Sequence, residues 1–214
     1  MVIDLSHKIM VGMPVFPGTE APKIERAFTI DKNHYAEARL TMFSHVGTHM
    51  DAPAHMISGG KTLDAYAIDA FIGKACVLDF SKPLEQSGEW EISLEQLKVY
   101  EGLVEAVDFV LIYTGWSHKW GVEAYFKDFP ALSVEGAKWL SEKHLKGIGI
   151  DAMSIDLMST KTFPVHFVFM EKEMVIIENL TNVEALLGKV FTLHALPLKI
   201  DGSDGAPIRA VGLL

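Results

Sequence analysis

Residues 44–55 read S-H-V-G-T-H-M-D-A-P-A-H and set His45, His49, Asp51 and His55 at steps of four, two and four. Every step is even, and an extended chain alternates faces with a period of two. The four side chains are therefore expected on one side of a strand. Val46, Thr48, Met50 and Ala52 would turn the other way, towards a buried face. An α-helix would bring His45 and His49 together but rotate Asp51 round the cylinder. Pro53 also opposes a helix running through the segment. Gly47 leaves room for close backbone approach or an unusual turn. A single histidine is usually a surface residue or a hydrogen-bonded core residue. Three histidines and an aspartate of one parity within eleven residues point instead to a divalent metal site, with donors that suit zinc, manganese or iron.

The stretch H-V-G-T-H-M-D-A-P-A-H resembles the H-x-G-T-H-x-D-x-P-x-H signature of the cyclase-like metal-dependent hydrolases, which include bacterial kynurenine formamidases and isatin hydrolases. Other stretches are similar to the family in the same order: T-G-W-S-H-K-W-G at 114–121, G-I-D-A-M-S-I-D at 149–156 and D-G-A-P-I-R-A at 204–210. The resemblance implies a swivelling β/β/α fold, one or two divalent ions, and assembly as a dimer or tetramer.

Read from the residues, the chain is one mixed α/β domain over 1–214, built on a partly closed, barrel-like sheet. Strand-like stretches are expected at Val2–Ile9, Lys23–Ile30, Tyr35–Phe43, Ala75–Phe80, Phe109–Thr114, Gly147–Ile150 and Met174–Leu180. Asp64–Ile72 is expected to be a short helix. Ser93 with Gln96 offers a capping box for a helix reaching Val99, and Ser133 can cap another through His144. No repeat of 20–50 residues and no linker-like tract divides the chain.

Charge and cysteine content exclude several functions. The 19 basic and 28 acidic residues give a formal charge of −9, which argues against a nucleic-acid or anionic-membrane surface. No apolar run approaches the ~20 residues of a membrane span, and the first ten residues lack a signal core. The single cysteine, Cys76, can form no intramolecular disulfide and lies in the apolar run K-A-C-V-L-D-F. It reads as a small buried hydrophobe, and the chain as cytoplasmic.

A second half of the site lies in H-F-V-F-M-E-K-E-M-V-I-I-E-N-L at 166–180. Glu178 follows V-I-I, where a carboxylate must be paired, hydrogen-bonded, metal-bound or turned to solvent at the strand end. The residues alone leave that choice even. The resemblance implies that His166 and Glu178 are metal ligands: His45, His49 and Asp51 on one ion, His166 on a second, with Asp51 and Glu178 reaching both. The expected ion is Zn2+, with Mn2+ the alternative. His55 shares the ligands' parity, and imidazole both accepts and donates protons near neutral pH. The matching family histidine has this acid/base role. Asp151, Ser154 and Asp156 read as loop-building and hydrogen-bonding residues near the pocket. Phe16, between Pro14 and Pro17, reads as a loop anchor packed on the core. The resemblance places the same loop at the substrate pocket, where kynurenine formamidases commonly carry tryptophan.

The expectation that follows is hydrolysis of a small amide. The first choice of substrate is N-formylkynurenine, giving kynurenine and formate in the kynurenine pathway of tryptophan catabolism. An enzyme opening a cyclic amide such as isatin is the near alternative. A metal- or ligand-binding module without catalysis is the alternative of another class. His55 counts against the last, since metal binding alone does not require it.

Overall fold

A computed structural model describes residues 1–82 and 90–214. Its centre is a sheet of eight strands: β1 (Val2–Asp4), β4 (His49–Asp51), β5 (Ile72–Asp79), β7 (Phe109–Tyr113), β9 (Gly147–Ile150), β10 (Val175–Glu178), β11 (Val190–Pro197) and β12 (Gly205–Leu213). The order is β1-β12-β11-β5-β7-β9-β10-β4, and β4 pairs back onto β12. Seven strands thus close into a barrel, with β1 laid against the far end of β12. The sheet is mixed. Strands β5, β7, β9 and β10 run parallel, whereas β11, β12 and β4 join their neighbours antiparallel.

The apolar runs of the parallel strands are continuous because both faces are covered. Ala75, Val77, Phe109, Leu111, Val175 and Ile177 fill the barrel. The alternate residues Leu78, Val110, Ile112, Ile148, Ile150 and Ile176 face outward, beneath Leu97, Ala137, Leu140 and Phe169 from the surrounding helices. Each large aliphatic or aromatic side chain buried in this way contributes about 1.5–3 kcal/mol. Cys76 lies in the outer layer with no exposure, and burial pushes its thiol up to about 12, so it is packing and not a nucleophile.

Local signals place the covering helices. Ser93 accepts from the Gln96 amide while Gln96 Oε1 accepts from the Ser93 amide, completing the capping box of the helix Leu94–Lys98. Ser133 caps Val134–Ser141, a turn shorter than expected. In place of a helix at 64–72 there are two 3-10 turns, Leu63–Ala65 and Ile68–Phe71. The first strand stops at Asp4 and is followed by a bridge from Ser6 to Leu180.

Strands β2 (Lys23–Phe28) and β3 (Glu37–Thr41) make a separate hairpin in register Ile24 to Leu40. All of its strand residues are exposed, Leu40 by 55%. The remaining short strands, β6 (Glu91–Ile92) and β8 (Ala131–Leu132), pair with one another. No described helix is long and apolar enough to cross a membrane.

Candidate metal centre

The barrel register places the first donors. β4 is paired on both edges, with His49 opposite Glu178 of β10 and Asp51 opposite Gly205 of β12. His49, Asp51 and Glu178 are all buried, and Ile155 donates its amide to Glu178 Oε1 at 3.0 Å. Only His49 and Asp51 lie on the strand. His45 comes from the preceding turn, where Gly47 takes a left-handed φ of 64°. His55 closes a 3-10 turn, Pro53–His55. The four side chains therefore meet by folding of the flanking loops and not by strand parity. Pro53 opens that turn, since a first-turn position needs no N–H.

His166 arrives on the helix Pro164–Met170, whose N-cap Phe163 has a φ of 48° and no capping side chain. Asp156 supplies the cap from a neighbouring loop. Its oxygens accept the amides of Val165 at 3.0 Å and His166 at 2.9 Å. Asp156 Oδ2 also lies 2.6 Å from His166 Nδ1. One buried carboxylate thus starts the helix and fixes the ring of its third residue.

Each candidate ligand histidine is held by its outer nitrogen. His166 Nδ1 is on Asp156, His49 Nδ1 is 2.9 Å from the Gly47 carbonyl, and His45 Nε2 is 2.9 Å from Asp204 Oδ2. The inner nitrogens face two shared carboxylates. Asp51 Oδ1 lies 2.6 Å from His45 Nδ1 and 3.3 Å from His49 Nε2, while Asp51 Oδ2 is 3.8 Å from His166 Nε2. Glu178 divides likewise, with Oε2 at 3.5 Å from His49 Nε2 and Oε1 at 3.2 Å from His166 Nε2. Among the described residues, two donor sets that share Asp51 could hold an ion, His45-His49-Asp51 and Asp51-His166-Glu178, and a third group joins His45, His55 and Asp204. Anchored imidazoles whose inner nitrogens converge on two buried anions are the chemistry of a divalent cation site.

The electrostatics agree. Burial alone would pull the His45 imidazolium down, but hydrogen bonding and charge from Asp51, then Asp204, outweigh it and hold the group up to about 9. His49 and His166 are raised in the same way against burial, His49 mainly by Asp51 and His166 by Asp156 with Asp51 and Glu178. Asp51 is pulled well below the carboxylate range despite its burial, by His49, His166 and His45. His55 goes the other way, because burial outweighs Asp51 and leaves the imidazole neutral at pH 7.

A pH dependence of the metal-free protein follows. His45 keeps its proton up to about 9 in the fold, against 6.5 in the unfolded chain. That stabilisation is complete below about pH 6.5 and disappears as pH rises through about 9. Calorimetry of chelated protein should show a lower melting temperature at pH 9.5 than at pH 6.5. The affinity for zinc should rise over the same interval, because an ion must displace the proton. A melting temperature that climbs between those pH values would contradict the assignment.

These groups line a cavity of about 800 Å3. Phe16, Phe43, Met56, Met153, Phe163 and Phe167 line it as well, together with Lys161. Phe16 is 39% exposed and is no core anchor; its ring forms part of the cavity wall. The cavity thus gathers Phe16, His45, His49, Asp51, His55, His166 and Glu178, the residues expected as metal ligands, acid/base and substrate wall. Asp204 and Asn179 went unnoticed there. Asn179, in a left-handed conformation, accepts from Tyr125 at 2.6 Å and donates to the Gly47 carbonyl at 3.0 Å, bracing the loop that carries His45. Asp204 had one sequence signal, its place at the head of D-G-A-P-I-R-A.

The sequence model of the family described as "Putative cyclase" matches residues 3–157. The chain belongs to this cyclase family. A kynurenine formamidase of Bacillus mycoides (strain KBAB4) is 32% identical over 211 residues, covering 98% of this chain and 95% of that protein. The solved structure of isatin hydrolase A from Ralstonia solanacearum superposes with a TM-score of 0.88 at 26% identity, covering 99% of this cyclase-family chain and 91% of that one. A structure described as a potential metal-dependent hydrolase with cyclase activity gives a TM-score of 0.81 at 29% identity, with 99% and 96% covered.

Proposed function

We propose that this cyclase-family protein is a metal-dependent amidohydrolase that cleaves the formamide of N-formylkynurenine to formate and kynurenine. Residues 1–214 work as one domain, zinc is the expected ion with manganese as the alternative, and the compartment is the cytoplasm. The observation that carries the reading is the split of Asp51 and Glu178, each turning one oxygen to His49 and the other to His166, beside a neutral His55. The cavity supports the substrate class. Its phenylalanine walls suit an aryl ring, and Lys161 suits the carboxylate of an amino-acid tail. A homo-oligomer is supported by the hairpin β2–β3, which exposes Ile24, Phe28 and Leu40, because an isolated two-stranded ribbon is marginal in water.

His45, His49, Asp51, His166 and Glu178 would hold the ion or ions. A divalent cation there would supply Lewis acidity, lowering the pKa of a water towards neutrality and drawing charge from a carbonyl oxygen. His55 takes a proton from the attacking water as its oxygen bonds to the formyl carbon. It returns that proton to the amine nitrogen as the C–N bond breaks. The cavity walls orient the aryl group so that the amide, and not the ring, meets His55.

The second reading is opening of a cyclic amide of the isatin type. Phe16 favours it, standing where formamidases commonly carry tryptophan. Turnover of N-formylkynurenine and of isatin, by protein loaded separately with zinc and manganese, tests both. Chelator-sensitive release of formate establishes the first reading, and ring opening without formamide cleavage replaces it with the second. Stoichiometric metal with no turnover of either amide would sink both and leave a binding module.

A further inference from the structure

Asp204 lies between β11 and β12, outside every donor set that reaches Glu178 or His166. Its backbone is fixed. The carbonyl of Asp204 accepts the Ala52 amide at 2.8 Å, and the carbonyl of Ser203 accepts that of Leu63 at 2.9 Å. Ser44 donates to Asp204 Oδ1 at 3.1 Å. The other oxygen, Oδ2, meets two imidazoles: His45 Nε2 at 2.9 Å and His55 Nδ1 at 3.4 Å. Those two rings lie with centroids 3.9 Å apart. The next residue is Gly205, where a Cβ would stand 2.4 Å from His45 Cε1, so the His45 ring packs directly on bare backbone.

We infer that Asp204 is a positioning residue that sets the working tautomers of His45 and His55 together. The inference rests on the hydrolase reading for the roles of those two histidines. A carboxylate only accepts, so both nitrogens facing it carry hydrogen. His45 Nδ1 faces Asp51 at 2.6 Å and gives up its proton when an ion binds there, so the metal-loaded ring keeps Nε2–H on Asp204 and offers the Nδ1 lone pair to the cation site. His55 has Nδ1–H, which leaves Nε2 as the nitrogen that accepts a proton from water. One oxygen thereby prepares a metal ligand and the acid/base at once, as outer carboxylates do for single ligands. The trio His45-His55-Asp204 could be taken for a further ion site. It is a poor one, because His45 cannot give Nδ1 to the first ion and a neutral Nε2 lone pair to another.

The test has two parts. Nitrogen-15 NMR of the zinc-loaded wild-type protein should show His45 as the Nε2–H tautomer and His55 as the Nδ1–H tautomer. This arm needs neither a variant nor turnover. Asp204→Asn then keeps the shape but offers an amide that can donate and so permits the opposite tautomers. Its zinc affinity, measured by chelator competition, should fall on the order of 10–100-fold. At saturating zinc it should bind as many ions per chain as the wild type, with kcat lower by at least about tenfold. The opposite tautomer at either ring, or wild-type affinity and kcat in Asp204→Asn, would overturn the inference. One ion fewer at saturation would also overturn it, making Asp204 a ligand. A wild-type protein that binds zinc with the stated tautomers but hydrolyses no amide defeats the hydrolase reading alone.

Discussion

Asp51→Ala should lose at least about 10^3-fold in turnover and no longer hold stoichiometric metal, because Asp51 is the one carboxylate shared by both donor sets. Its effect should extend to the fold. Asp51 is 1% exposed and is the anion that His45, His49 and His166 share. Without it, the buried imidazoles of His49 and His166 and the partly buried one of His45, all with raised proton affinity, keep only Glu178, Asp156 and Asp204 between them. Removing one partner from a buried ionic cluster typically costs about 3–5 kcal/mol. For a chain of this size, that should lower the melting temperature by roughly 6–20 °C. Elemental analysis and calorimetry of the metal-free wild type and variant check both statements. A variant that binds metal normally, or melts with the wild type, would mean that the cluster is held elsewhere.

His55→Ala should separate chemistry from metal binding. His55 lies against the His45 ring but in neither of the donor sets that share Asp51. Metal content should therefore stay at the wild-type level while kcat drops about 10^2–10^4-fold, the usual contribution of a positioned acid/base. KM should change little, since the aromatic walls are untouched. Near-normal kcat with metal in place would show that the proton passes through another group.

How much of this could be read beforehand depends on how local each signal was. The donors of 45–55 are written in one short stretch, and their grouping survives although its cause differs. Parity suggested a strand through all four, whereas the structure uses three strand residues, a left-handed Gly47 and a proline-started turn. Glu178 could not be settled from V-I-I-E, because a strand end is as easily wet as buried. Its fate is decided by β4, more than 120 positions earlier, pairing against it. Asp156 and Asp204 were harder still. Short polar residues in loops usually build turns, and only the folded chain shows that each also reaches a histidine ring.

The long strands β11 and β12 were not anticipated, although Phe191, Leu193 and Ala195 alternate inward as a strand should. Pro197, Pro207 and the glycines around them obscure that period. At Phe16 the residues alone favour a core anchor, and only the family resemblance puts the loop at the pocket. A lone aromatic between prolines is a common anchor, and nothing local shows that a cavity lies beneath it.

Strand β4 closes the sheet. It is three residues long, yet it is the latch that turns an open sheet into a ring, with β10 on one edge and β12 on the other. His49 and Asp51 are therefore both hinge pins of the closure and donors of the charge cage. A slip of one residue would send both to the opposite face and leave Met50 among the anions. Catalytic geometry in this molecule is thus inherited from how the hoop is shut, so the chain cannot vary one without rewriting the other.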